Sequence, residues 1–318
     1  MALIVAGNKS LRAGFVIATK DRPKDIRNLL KNLANLSVHP NQLIIVDSSE
    51  KSGRAVVSEF NKLNIKYIHY RGEPSASAQR NAGIKAVDSA IDLIGFLDDD
   101  CILEYASLEK MMKFWEAAPA DIGGCAFNLR NPAPAGNRKI RCNSITRWLG
   151  IYSDIPGVVT RSGWGTITGT VDKDLEVKWV PSTAVVWRKQ IFNTEYFEEF
   201  FKGYSYLEDL DFSYNVSKSY RIMILADAGY YHHHSVSGRT SRLNFGIVEV
   251  INRIFFVKKH NLSLSRCYCA LIIRLALTLI NSLKTFDKHE LERFLGNIAG
   301  LLYLPWSKSK LNNYKYLY

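Results

Sequence analysis

The sequence predicts an α/β fold: an open, mostly parallel sheet with helices on both faces, followed by a helical C-terminal extension. Three observations predict it. Short continuous apolar runs alternate with helix-period segments through the N-terminal third, and each run stops at a polar or acidic turn. Beyond Gly238 the pattern becomes helical and strongly apolar.

The elements follow in order. Ala13–Ala18 reads as a buried strand ending at Thr19-Lys20-Asp21-Arg22-Pro23. Ile26, Leu29, Leu30, Leu33 and Leu36 then share one helical face, with Pro23 near the helix start. Gln42–Val46 is a second strand, stopped by Asp47-Ser48-Ser49. Val56, Val57, Phe60 and Leu63 mark another helix, and Lys66–Tyr70 a third strand. Ser75–Ala90 is alanine-rich and helical, and Asp92–Leu97 is a strand running into Asp98-Asp99-Asp100, with a helix near Ala106–Trp115 beyond. Arg130–Gly169 is rich in Pro, Gly, Ser and Thr, the texture of a functional loop or lid. Regularity returns at Val177–Trp187. Tyr206–Phe212 starts a helix with carboxylates in its first turn, where the dipole favours them, and Arg221–Ala226 is a strand leading to Tyr230–Ser235. Right-handed crossovers put the C-terminal ends of parallel strands on one edge, where open α/β sheets bind ligands. Thr19, Asp47 and Asp98–Asp100 all fall there.

Composition narrows the function. The 318 residues are 47% apolar and 23% charged, which excludes a disordered or collagen-like chain. A net charge of +12 suits nucleic acid, an anionic membrane surface or phosphate-bearing small substrates. The bases are scattered, with short clusters at Arg138–Arg141 and Lys258–His260, and no clustered patch with interleaved aromatics argues for nucleic acid. Cys101, Cys125, Cys142, Cys267 and Cys269 lack zinc-ligand spacing. The apolar start Met1–Gly7 is too short for a signal segment, so a reducing cytoplasmic location is expected. The sequence contains neither a GxGxxG after the first strand, nor a P-loop, nor a GxSxG elbow.

Three constellations carry chemistry. Adjacent carboxylates at Asp98, Asp99 and Asp100 repel one another unless a cation neutralises them, and hard oxygen ligands suit Mg²⁺ or Mn²⁺. A solvated acidic turn capping the next helix is the alternative. Within Glu208-Asp209-Leu210-Asp211, one carboxylate can act as a general base worth ~10²–10⁴ in rate, against a plain helix-capping role. In His232-His233-His234, alternation along a strand directs at least one ring toward the edge.

Taken in order, Thr19–Pro23, Ile44–Ser49, Gln79–Ile84, Phe96–Asp100, Trp179–Arg188, Glu208–Phe212 and the histidine block resemble a GT-A-type glycosyltransferase of family 2, over roughly residues 13–240. The resemblance implies a Rossmann-like catalytic domain over 1–240, with a nucleotide-sugar half at 13–128 and an acceptor half at 129–240, and a helical region at 241–318. It implies that Thr19, Arg22 and Asp47 line the nucleobase pocket, that Arg80 faces the base or diphosphate, and that Asp98 and Asp99 contact the donor. Asp98 and Asp100 form the DxD pair, with Mn²⁺ or Mg²⁺ on Asp100 and Asp98 and either His232 or His234 completing the site. Asp209, beside Glu208, is the implied base. Two positions depart from the family pattern: Ser48-Ser49 follow Asp47 in place of a second acidic residue, and Cys101 follows the DxD cluster.

The expected function is inverting transfer of a sugar from a nucleotide sugar, UDP- or dTDP-linked, to a glycan or lipid-linked saccharide in surface polysaccharide biosynthesis. A catalytically silent nucleotide-sugar or glycan-binding module is the alternative. In the tail, Cys267–Ile280 is the most apolar stretch, but Arg274 at its middle argues for a packed or interfacial helix rather than a span. Contact with the inner face of the cytoplasmic membrane and an oligomer interface both remain open for it.

Overall fold

The computed structural model describes residues 10–132, 142–203, 205–233 and 240–303. Nine strands form one sheet: β1 (Ala13–Thr19), β2 (Gln42–Asp47), β3 (Ile65–His69), β4 (Leu93–Leu97), β5 (Cys101–Leu103), β6 (Ile122–Leu129), β7 (Leu175–Val177), β8 (Ala184–Arg188) and β9 (Arg221–His232). The described helices are α1 (Pro23–Ala34), α2 (Arg54–Val57), α3 (Ala76–Lys85), α4 (Ser107–Ala117), α5 (Ser144–Trp148), α6 (Glu208–Val216), α7 (Arg242–Lys259), α8 (Leu264–Thr285) and α9 (Lys288–Tyr303).

The strand order is β3-β2-β1-β4-β8-β6-β9-β5, with β7 pairing β9. The first four strands are parallel, as their continuous apolar runs require; β8 then joins β4 antiparallel, and the far half is mixed. Alternation along β1 sends Phe15 and Ile17 to one face, against Leu29, Leu30 and Leu33 of α1, and Val16 to the other. The second face holds Ile84, Phe96, Trp187 and Phe212, where α3 and α6 pack. Gly83 permits α3 to lie this close, since a Cβ there would stand 2.2 Å from Val16 Cγ1.

A third cluster joins α7 and α8 to α6 through Val250, Ile254, Phe256, Cys267 and Leu271, packed with Ile151, Tyr152, Trp164 and Leu210. So part of the Pro/Gly-rich stretch expected as a lid is fixed in a core, with Tyr152 Oη donating to Ala270 O at 2.9 Å. Residues 133–141, including the Arg138–Arg141 cluster, lie outside the described residues.

Local differences from the sequence expectation have local causes. The helix expected over Val56–Leu63 is a single turn, α2, after which the amides of Glu59, Phe60 and Leu63 bond three residues back and tighten the chain into turns. The helix expected over Ser75–Ala90 starts where expected, with Ser75 capping Ala78 N, and stops at Lys85. The strand expected at Arg221–Ala226 runs on to His232 because it pairs successively with β6, β7 and β5.

Candidate active site

Three elements deliver the acidic cluster and its partners to the sheet edge. Asp98 to Asp100 follow β4, and their turn is pinned by Asp98 N donating to Thr183 O at 2.9 Å. From β1, Thr19 Oγ1 donates to Asp99 Oδ2 at 2.6 Å, and Arg22 Nη1 reaches Asp99 Oδ1 at 2.8 Å and Asp100 Oδ2 at 3.9 Å. From β9, the antiparallel register that pairs Cys101 with His232 holds His232 Nε2 2.9 Å from Asp100 Oδ1.

Arg80 ties the other side together. Its buried guanidinium contacts Glu208 through Nη1 and donates to Asp98 Oδ1 through Nη2 at 3.0 Å. Residues 128 positions apart are thereby joined, and Glu208 brings Asp209 with it on α6. The helix begins from Leu207 at φ +81°, a left-handed turn that a non-glycine residue adopts at a cost of about 1–2 kcal/mol. Ser205 closes the same corner by accepting from Ala76 N at 3.1 Å, at the start of the helix that carries Arg80.

Electrostatics separates the carboxylates. Burial lifts the Asp99 carboxyl to about 6 against the pull of Arg22 and the Thr19 hydroxyl. Burial also raises Glu208, reinforced by Asp209 and opposed by Arg80. Asp209 is raised too, by burial and the nearby Asp98 charge, although Leu210 N donates to its Oδ1 at 2.7 Å. His232 is held above the ordinary imidazole value: burial pulls it down, and Asp100 with its two neighbouring carboxylates overcomes that pull.

Asp47 is placed differently from the donor-facing role its motif implies. Its Oδ1 accepts from Ser49 N and Ser49 Oγ, and its Oδ2 from Gly53 N and Tyr67 Oη, all within 2.9 Å. Burial alone would raise this carboxyl, but those bonds hold it below the usual range. As folded, Asp47 shapes the loop after β2, and accepting a base N–H would require one of those donors to give way. Asp99 is likewise committed, as a strut between Thr19 and Arg22.

The donor set is compatible with a hard divalent cation. Asp100, His232 and Cys101 offer ligand atoms within 4.8 Å of one another. The Cys101 thiol is pushed far up by burial and the three carboxylates, and it points to Thr183 O at 3.5 Å, so oxygen and imidazole donors are the ones that fit Mg²⁺ or Mn²⁺. The half-exposed Asp98 is the further carboxylate at hand. An open cleft of about 420 Å³ adjoins Asp100, lined among others by Asp25, Asn28, Lys31, Ile102 and His233.

Thr19, Arg22, Asp98, Asp99, Asp100 and His232 therefore meet at one edge, and Arg80, Glu208 and Asp209 join them through Asp98. His233 turns toward the cleft instead, and His234 lies outside the described residues. Two supports escaped sequence reasoning. Gln79 Nε2 donates to Thr19 O and Val46 O at 2.9 and 2.8 Å, bridging the ends of β1 and β2. Asp211, one turn after Glu208, is buried against His260 Nε2 at 2.8 Å and Lys259 Nζ at 2.7 Å. Gln79 was within reach, since it opens the Gln-Arg-Asn-Ala-Gly segment; the Asp211 pairing spans 49 positions and leaves no local signal.

Comparison with known proteins agrees with this geometry. The family model for glycosyl transferase family 2 matches residues 15–170. Over 108 residues the chain is 30% identical to the uncharacterized glycosyltransferase YwdF of Bacillus subtilis (strain 168), covering 34% of this chain and 40% of that protein. The match thus spans less than half of the curated relative's length. Among solved structures, S. aureus TarS 1-349 superposes with a TM-score of 0.52 at 18% identity, over 81% of this chain and 68% of that one. The mannosyltransferase PcManGT from Pyrobaculum calidifontis gives 0.54 at 11% identity, over 94% and 88%. At such identities the structural likeness is one of fold, and it is the GT-A fold. The family model, the curated relative and the fold thus agree, and residues 15–170 of this chain match glycosyltransferase family 2.

Proposed function

We propose that this protein transfers a sugar, with inversion, from a UDP- or dTDP-linked donor to a hydroxyl of a glycan or lipid-linked saccharide, for surface polysaccharide assembly on the cytoplasmic side of the membrane. The reading rests on one observation. The buried Arg80 binds both Asp98 of the acidic cluster and Glu208 of α6, so a candidate base and a candidate donor site share one rigid frame. Two structures of similar fold support a nucleotide donor: TarS 1-349 has been crystallised with UDP, and PcManGT with GDP-Man and Mn²⁺.

In this mechanism Asp209 takes the proton of the acceptor hydroxyl as that oxygen bonds to the anomeric carbon. The bond from that carbon to the donor phosphate breaks on the opposite face, so one displacement inverts the centre. A base whose pKa is raised toward the working pH is better matched to the proton it receives. Glu208 keeps Arg80 in place, and Arg80 in turn orients Asp98. Asp98, Asp100 and His232 would hold a divalent ion, which would supply charge stabilisation for a departing diphosphate. Arg22, beside Asp99 and Asp100, adds a fixed positive charge at that edge.

The test is nucleoside diphosphate release across UDP-, dTDP- and GDP-sugars, with Mn²⁺ or EDTA. The expected result is metal-dependent turnover of one donor, with donor engagement lost in Asp100→Ala and kept in Asp209→Asn. Donor binding without turnover by the folded wild type, with every acceptor class tried, would turn the reading into that of a binding module.

A further inference from the structure

The C-terminal half of α8 and the whole of α9 distribute polarity in the reverse of a water-soluble bundle: their buried residues are Thr278, Ser282, Gly296, Asn297 and Gly300. Leu264, Tyr268, Ile272, Ala276, Ile280 and Leu283 recur every three or four residues along α8 and all face outward, with Ile272 59% and Leu283 64% exposed. Helix α9 continues this with Leu291, Leu295 and Leu302, and Phe286 between the two helices is 94% exposed. Where α9 packs on α7 and α8, the inward side is polar. Glu249 of α7 is buried with Arg293 at 2.8 Å and Arg274 at 3.4 Å, and Asn297 Nδ2 donates to it at 3.2 Å; Thr278 and Ser282 are buried beside them on α8.

Small residues replace side-chain interlock between α7 and α9. A Cβ on Gly246 would stand 2.3 Å from Arg293 O, and one on Gly296 would stand 2.1 Å from Leu243 O. Gly296 and Gly300 form a GxxxG pair, so the backbones touch, as they do where helices pack in lipid. Polar groups inward, leucines outward and backbone-to-backbone contact are together the arrangement of a helix pair facing hydrocarbon.

We infer that the outward face of α8 and α9 is a docking surface for an anionic lipid bilayer. Charge selects the occupant. Residues 240–318 carry twelve Lys/Arg against four Asp/Glu, so this quarter of the chain holds most of the net charge of +12. A second copy would bring like charge to like charge, whereas anionic headgroups complement it. The sequence after α9 adds Trp306, Lys308, Lys310, Tyr314, Lys315, Tyr316 and Tyr318 with no acidic residue, the aromatic and basic composition of a membrane interface. Helix α8 is long and apolar enough to cross a bilayer, at mean hydropathy 1.5. It lies along the surface instead, because Arg274 is held inward by Glu249 and the α8–α9 turn carries Lys284, Asp287, Lys288, His289 and Glu290. This inference is independent of the sugar-transfer reading.

Flotation of the full chain with phosphatidylcholine vesicles, with and without phosphatidylglycerol, tests it. The wild type is expected to float with the phosphatidylglycerol vesicles, and the Ile272→Glu/Leu283→Glu variant to float at least about fivefold less. Its circular dichroism and its mass in lipid-free buffer should match the wild type. Ile272→Asn alone, a milder change at an exposed site, should lose part of the binding if the double variant folds poorly. A wild type that stays with the aqueous fraction in both vesicles overturns the inference. So does a double variant that turns a lipid-free dimer into a monomer while floating undiminished, since the face would then be a contact between copies.

Discussion

The sheet half and the C-terminal helices solve burial in opposite ways. In the sheet half, Phe15, Leu29, Leu30 and Trp187 are sealed inside and the buried charges of the candidate site gather at one edge. Where α9 packs on α7 and α8, a glutamate, two arginines and an asparagine face inward while leucines of α8 and α9 face out. The first arrangement is driven by water. The second is held by ion pairs around Glu249 and by close backbone contact, so its outer face is free to be used for something else. Glu208 and Asp209, the candidate catalytic carboxylates, stand between the two, on a helix that both regions grip.

The largest effect expected on the sheet side is chemical. Asp209→Asn should lower turnover by ~10²–10⁴ with thermal stability nearly unchanged, measured by diphosphate release and calorimetry. Among the helices the largest effect is structural: Glu249→Ala leaves Arg293 and Arg274 buried without their partner and should cost about 3–5 kcal/mol in denaturant unfolding. Equal stability of Glu249→Ala and wild type would remove the contrast altogether.

Acid gives a finer cut. The arginines hold the Glu249 carboxyl at about 2, against 4.5 for an ordinary glutamate, in spite of its burial. Stability from this group is therefore present above pH 4.5 and lost as pH falls toward 2, by about 3 kcal/mol in all. Hydrogen exchange should report α7 and α9 opening in that window, and Glu249→Gln should remove the dependence. The smallest effect sharpens the comparison most directly. Leu29→Ala should cost about 2–5 kcal/mol, whereas Ile280→Ala, on the outward face of α8, should cost under about 0.5 kcal/mol in lipid-free buffer.

How much of this was legible in the sequence depended on whether the signal was local. The parallel strands were, because continuous runs such as Leu43–Val46 have no other use, and so were the acidic turns that end them. Strand β6 was not: Gly123 and Gly124 interrupt its apolar pattern, yet Gly124 is required, since a Cβ there would lie 2.3 Å from the Trp187 ring. At the site, the motifs named Arg80, Asp98 and Glu208, but only the fold discloses that one guanidinium holds both acids. Asp47 illustrates the converse. Its position after β2 was legible, and the donors that occupy both its oxygens, from Ser49, Gly53 and Tyr67, were not. The stretch after Arg130 looked like a mobile covering by composition alone, while Trp164 within it stacks under the Arg253 guanidinium at 4.1 Å and is anchored there.

Asp211 has a consequence of its own. It belongs to the helix that starts at Glu208 and Asp209, and it is bonded to Lys259 and His260 at the end of α7. The helix carrying the candidate base is thus bolted to the helical unit whose outer side is apolar. If that side rests on lipid, the bolt acts as a ruler: it fixes the height above the bilayer at which an acceptor hydroxyl is met, and so selects acceptors by how far they stand from their anchor.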